Sequence, residues 1–274
     1  MTYKYILTEQ QGSTEIITLN DPENLNAVNG DLKSEFTEEL RRADSDSTVR
    51  TVIITGAGRA FCVGGNVKTF AQAGGHVQDV PMTFRQKLLP FTSGTLGSTP
   101  EMVYTLWRLS KPTIAAINGA CAATGLGIAM ACDIRVAAEN AKFAWGFPQR
   151  ALVPPEGSLF LLPLLMGYEA AFRLGATGMR LTAQEAMSHR IVGQVVSPGD
   201  LMPTCLRLGE QIEQNTPPVT LQLFKATMQE LMRESFERSM IMGHHAYGLA
   251  LQTADQLEAM NSFAEKRPPE WEGK

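Results

Sequence analysis

Residues 111–133 read KPTIAAINGACAATGLGIAMACD, and no charge falls between the terminal lysine and aspartate. The reading of this stretch decides the fold class. Its uncharged length approaches that of a bilayer span. Against a span stand its richness in Ala and Gly, Pro112 at its start, and Asn118 and Thr124 within it. It reads instead as a buried strand, TIAAI, that stops at Asn118-Gly119 and runs into a buried helix of small residues starting near Thr124.

The flanking sequence repeats that alternation. TVIITG (51–56) is a short apolar strand, and EIITLND (15–21) a strand ending at a turn. Between them, Leu32, Phe36 and Leu40 recur at four-residue spacing, the stripe of an amphipathic helix. IRVAAENAKFAW (134–145) suggests strand, turn, strand, and RIVGQVV (190–196) a further strand. A helix over TAQEAMSH precedes it, with Thr182 and Glu185 at capping-box spacing. Strands alternating with helices imply an α/β protein with mostly parallel pairing. From residue 198 strand signals fade and helical pattern takes over, Pro217-Pro218 opening a long run. The expected division is therefore a strand-containing core over 1–197 and a helical C-terminal region over 198–274.

The chain has 274 residues, 44% hydrophobic and 19% charged, with a net charge of −4. That is enough for a sizeable core and lacks the basic stripe of a nucleic-acid binder. The cysteines, Cys62, Cys121, Cys132 and Cys205, lie far apart without CxxC pairs, which fits reduced thiols in a cytoplasmic protein. The N-terminus has no secretory pattern. His244 and His245 are adjacent and cannot chelate as an i, i+4 pair would. No serine sits in a G-x-S-x-G elbow. Metal and triad chemistry are not indicated.

Three places could carry chemistry. In TGAGRAFCVGGNVK (55–68), Gly56 and Gly58 invite a dinucleotide fingerprint, but Phe61 stands where a third small residue is needed, and no GK[ST] follows. This is either a tight turn or a bend that aims backbone N–H groups at an oxygen. At Thr124 a helix start offers unpaired N–H groups and the positive dipole end, or is simply a packed core helix. Third, Glu156 in VPPEGS precedes the apolar run LFLLPLLMG. It could cap a helix. In apolar surroundings its pKa would rise, which suits a general base that returns its proton.

Together these segments resemble the crotonase, or enoyl-CoA hydratase/isomerase, family: LNDPENLNAVN, GAGRAFCVGGNVK, KPTIAAINGACAATGLGIAMACDIRVAAENAKF, TGMRLTAQEAMSHRIVGQVV and FAEKRPPEW occur in order along nearly the whole chain. The resemblance implies a spiral of ββα units, a C-terminal trimerisation region, a homotrimer or dimer of trimers, and a coenzyme A thioester as substrate with no permanently bound cofactor. It implies an oxyanion hole from the backbone N–H groups of Val63 and Thr124. Leu25, Ala27, Ala60, Gly64, Gly65, Asn66, Val67, Gly125 and Phe147 would line the substrate cleft, and Phe263 and Lys266 would meet the adenine and phosphate end.

The departures sharpen the expectation. Where the hydratase pattern carries two glutamates this chain has Gly127 and Phe147, and Asn66 stands where aspartate is common. The branch resembling Δ3,Δ2-enoyl-CoA isomerases carries one acid in a P-E-G turn, matched here by Glu156. Shifting a double bond from C3 to C2 needs one base, whereas hydration is served by two carboxylates. The expected reaction is that isomerisation, with an enoyl-CoA hydratase and a non-catalytic coenzyme A-binding protein as alternatives. Met82, Phe84, Leu88, Leu89 and Phe91 are candidate acyl-pocket residues or ordinary core, and Trp145 and Phe147 candidate walls near the reacting carbons.

Overall fold

A computed structural model describes residues 3–65 and 98–273. Asn66, Val67 and the five acyl-pocket candidates from Met82 to Phe91 lie outside the described residues.

The strands fall into two sheets. The larger holds β1 (Ile6–Gln11), β2 (Thr14–Leu19), β3 (Thr51–Gly56), β5 (Thr113–Ile117), β7 (Ile134–Ala138) and β10 (Gln194–Val196), adjacent in that order. The smaller runs β4 (Ala60–Cys62), β6 (Ala120–Ala122), β8 (Lys142–Ala144) and β9 (Leu181–Thr182). Strand pairs β3/β4, β5/β6 and β7/β8 each put a longer strand in the first sheet and a short one in the second. Helices follow them: α2 (Ser98–Arg108), α3 (Thr124–Ala131) and α4 (Ser158–Met166). This is the expected spiral of ββα units. Pairing is parallel except for β1–β2 and β8–β9.

Every residue of β3 and β5 is buried, as unbroken apolar strands of a parallel sheet covered on both faces must be. One cover includes α1 (Gly30–Ser45), capped by the Asn29 side chain, with Leu32, Phe36 and Leu40 fully buried. The other cover is α7 (Leu201–Asn215), whose Leu201 and Cys205 pack with Ile16, Ile53, Ile114 and Val136. The helical stretch after residue 198 thus begins as a layer of the sheet itself.

Two further helices, α5 (Tyr168–Thr177) and α6 (Ala183–Ser188), precede β10, and α6 carries the expected Thr182/Glu185 capping box. Of RIVGQVV only Gln194–Val196 is strand; Ile191 and Val192 are buried in the turn before it. The chain ends in α8 (Pro218–Ala250), with proline at its first turn, and α9 (Ala254–Glu265). No helix among the described residues is long and apolar enough to cross a membrane.

Candidate active site

The C-terminal ends of β4, β6 and β8 open on one cavity of about 410 Å³. Val63, Gly65, Ala122, Ala123, Thr124, Ala144, Gly146 and Phe147 supply its strand-end wall, Val28 and Lys33 one flank, and His244, Tyr247, Gln256 and Met260 its helical cover.

Residues 63–65 are held from two sides. Val28 N–H donates to the Gly64 carbonyl at 2.7 Å in an isolated parallel bridge between Val28 and Gly65, and the Gly64 amide is directed at the Cys62 sulfur. The position a Gly64 β-carbon would take lies 3.2 Å from the Thr124 amide nitrogen, so this bend and the start of α3 abut. Ala123 adopts φ 47 just ahead of Thr124, a conformation that costs an alanine energy and that surrounding structure must enforce. Its N–H donates to the Ala144 carbonyl at 3.1 Å.

A residue inside the expected cleft segment 25–27 organises the neighbouring loop, a role the sequence did not reveal. Asn26 is fully buried at φ 56. Its amide nitrogen donates to the carbonyls of Ala57, Ala60 and Phe61, and its carbonyl oxygen accepts from the Asp21 N–H. The loop carrying Leu25 and Ala27 is thereby pinned to the turn before β4.

Glu156 is fully buried. It does not cap α4: the N-cap is Gly157, without any side-chain cap bond. Its Oε1 accepts from the Ser158 hydroxyl at 2.7 Å, and Ser158 Oγ accepts from the Trp145 indole N–H at 2.9 Å. Oε2 has no hydrogen-bond partner among the described residues. Burial pushes the carboxyl pKa up to about 7, with the Ser158 bond pulling in the other direction. Gly127, fully buried in α3, makes room for it: a β-carbon there would stand 2.6 Å from Glu156 Cγ. Gly157 turns at φ 85 beneath the Phe236 ring of α8, which fixes the turn that carries Glu156. The carboxylate lies behind the cavity wall beside Pro155, and Tyr247, which lines the cavity, interacts electrostatically with it.

The structure brings Val63, Gly65, Thr124 and Phe147 to the cavity. Other expected residues sit around it. Ala60 is buried in β4, Gly125 is packed on the Cys62 carbonyl, and Leu25, Ala27 and Gly64 form the supporting loops. Phe263 packs under the Arg150 guanidinium, 3.9 Å from the ring centroid, and Lys266 ends α9 in the left-handed region. Trp145, expected as a wall, stands behind and orients Ser158; Phe147 alone of that pair reaches the cavity. Among the described residues no three His, Cys, Asp or Glu side chains form a cluster able to hold a metal.

The sequence matches the family described as enoyl-CoA hydratase/isomerase over residues 9–274. It is 30% identical over 272 residues to the 1,2-epoxyphenylacetyl-CoA isomerase of Escherichia coli, covering 99% of both chains. It is 31% identical over 268 residues to the short-chain-enoyl-CoA hydratase of Clostridium acetobutylicum, covering 97% of each. Among solved structures, an enoyl-CoA hydratase/isomerase from Pseudoalteromonas atlantica superposes with a TM-score of 0.84 at 25% identity, over 98% of this chain and 100% of that one. With the family matched across nearly its whole length and the spiral fold in place, the chain belongs to the enoyl-CoA hydratase/isomerase family.

Proposed function

We propose that the protein converts 3-enoyl-CoA to 2-enoyl-CoA thioesters with Glu156 as the single proton shuttle. The observation that carries this reading is the fully buried Glu156 carboxyl, its pKa raised to about 7 by burial, over a glycine at 127 whose replacement would collide with it. The thioester oxygen accepts from the Thr124 N–H and from an N–H of residues 63–65. Val63 is the expected donor there, and Gly65 shares the same wall. Such donors, aimed where charge develops, contribute about 3 kcal/mol each to the transition state.

Glu156 removes a proton from C2, and the electron pair moves onto the thioester oxygen as a dienolate. The same proton is returned at C4, leaving the double bond between C2 and C3. The apolar enclosure keeps water from the dienolate. Tyr247, its phenol pushed up to about 12 by burial and by the Glu156 charge, stays protonated throughout.

The test supplies 2-enoyl and 3-enoyl thioesters to the protein and to Glu156→Gln, following each product. Isomerisation by the parent and not by the variant supports the reading; hydration of the 2-enoyl thioester without isomerisation sinks it. A hydratase is the second reading, favoured by the hydratase name of the Clostridium relative.

We also infer that residues 198–274 drive self-association into a homotrimer or dimer of trimers. Support comes from Val219, Leu223, Phe224, Met228 and Leu231, large apolar residues exposed along α8. Light scattering on the purified chain tests this, and a monomer would exclude it.

A further inference from the structure

The smaller sheet lays the cavity wall out in a fixed order. Its strands run β4, β6, β8, β9, so residues 63–65, Thr124, Gly146 and Arg180 follow one another along a single edge. Arg180 lies one residue beyond the Phe143–Leu181 pair of β8 and β9. It is two strand spacings, about 10 Å, from the Thr124 end of β6. Val28 and Lys33 border the cavity on the opposite flank, beside Gly65.

At the β9 end a second guanidinium joins the first. Arg150 closes the 3-10 turn Pro148–Arg150, lines the cavity with Arg180, and is steadied by its seat over Phe263. Burial and the charge of Arg180 both push the Arg150 pKa down. The nearby carboxylates of α9 are committed elsewhere. Glu258 and Glu265 pair with Arg267, and Asp255 accepts from the N–H groups of Glu272 and Gly273. Neither Arg150 nor Arg180 has an ion pair or a side-chain hydrogen bond among the described residues. Gln256, a buried amide of the helical cover, adds a further polar group to the cavity lining.

We infer that Arg150 and Arg180, with Gln256, form an anion subsite that receives a carboxylate at the far end of the acyl chain. The preferred substrates are then short acyl thioesters of dicarboxylic acids. This rests on the acyl-CoA reading of the cavity. On that reading the thioester is held between residues 63–65 and Thr124, and coenzyme A would leave past Val28 and Lys33, which line the opposite flank. The acyl chain would then point along the sheet edge toward β9. The gap of about 10 Å suits a short diacid chain. Two guanidiniums and a carboxamide match the lone pairs of a carboxylate. The competing anions are the coenzyme A phosphates, because resemblance would place them near Phe263 and Lys266, and Phe263 is the ring on which Arg150 sits.

Calorimetric titration separates the two sources. The ligands are adipyl-CoA, hexanoyl-CoA, coenzyme A and its 3′-dephospho form, tested on the parent, Arg180→Gln and Arg150→Gln. The parent should bind adipyl-CoA about tenfold or more tighter than hexanoyl-CoA, and each substitution should bring that ratio toward one. Arg180 is exposed and has no side-chain hydrogen bond or ion pair among the described residues, so its replacement should leave the fold in place. A ratio near one in the parent overturns the inference. So does an equal loss for all four ligands in the variants, which would hand the arginines to the phosphates. Neither acyl ligand contains a double bond, so the ratio is independent of Glu156 chemistry. A protein that prefers adipyl-CoA yet fails to isomerise 3-enoyl thioesters would sink the reaction and leave the subsite standing.

Discussion

Gly127 and Glu156 occupy one space: a β-carbon on the first would stand 2.6 Å from Cγ of the second and 3.0 Å from its Oε1. A glutamate at 127, as the hydratase pattern has it, and a carboxylate at 156 therefore exclude each other. The helix α3 and the turn before α4 compete for the same volume, and here the turn's carboxylate occupies it. Gly127→Ala should displace the Glu156 side chain and overpack the buried α3, costing about 1–3 kcal/mol of stability. Under the proposed reaction, turnover of a 3-enoyl thioester should fall at least about tenfold, since small misplacements of a reacting group are costly. Urea unfolding and steady-state kinetics read both. An alanine variant with parental turnover would show that the carboxylate does not work from this position.

The raised pKa of Glu156 gives activity and stability opposite pH dependences. As a base the carboxyl must be ionised, so kcat/KM should climb with pH and level off above about 7. For stability, a carboxyl raised from 4.5 to about 7 binds its proton more tightly folded than unfolded. That contribution is complete below the unfolded pKa and is lost as pH rises through about 7. Between about pH 5 and pH 8, the parent should lose about 3 kcal/mol relative to Glu156→Gln, which has no such proton. The variant's turnover should drop about 10²–10⁴-fold. Denaturant titrations of both proteins across that range check the first figure. Parallel curves would mean that the carboxyl is solvated.

Much of this was legible because burial leaves a mark on sequence. TVIITG and TIAAI could be read as doubly covered strands since nothing polar interrupts them, and Leu32, Phe36 and Leu40 since a helix buries one stripe. Glu156 stood out for the same reason, as an acid among apolar neighbours. What stayed hidden depends on residues far apart in the chain. Trp145 reads as a pocket wall until Ser158 folds back to accept its N–H. Asn26 reads as loop until its amide meets three carbonyls some thirty residues on. The Arg150–Arg180 pair forms only when β9 closes the smaller sheet.

Ser158 links Glu156 to the scaffold, accepting from the Trp145 indole N–H and donating to the Glu156 carboxylate. Its hydroxyl favours the ionised carboxylate, so Ser158→Ala should raise the Glu156 pKa further and move the rising limb of the pH–rate profile to higher pH. The indole N–H of Trp145 would be left buried and unpaired, at about 1–3 kcal/mol. Thermal melts report the second effect and the pH profile the first. A destabilised variant with an unmoved profile would reduce Ser158 to a packing role.

The uncharged stretch from which the fold was read is closed at both ends by one side chain of α8. Lys225, nearly buried, donates to the Lys111 carbonyl at 2.8 Å and to Asp133 Oδ2 at 2.7 Å. The same carboxylate accepts from the Thr113 N–H and hydroxyl. β5, α3 and the Thr124 amide lie between these two anchors, so α8 fixes the Thr124 side of the cavity as well as the Glu156 turn. Lys225→Met should cost about 2–4 kcal/mol, because Asp133 keeps its threonine bonds but loses its cation, and the Lys111 carbonyl loses its donor. KM for a 3-enoyl thioester should rise along with the lost stability, since the amide is held less firmly. A methionine variant within about 0.5 kcal/mol of the parent, with KM unchanged, would show that the sheet holds the Thr124 amide without help from α8.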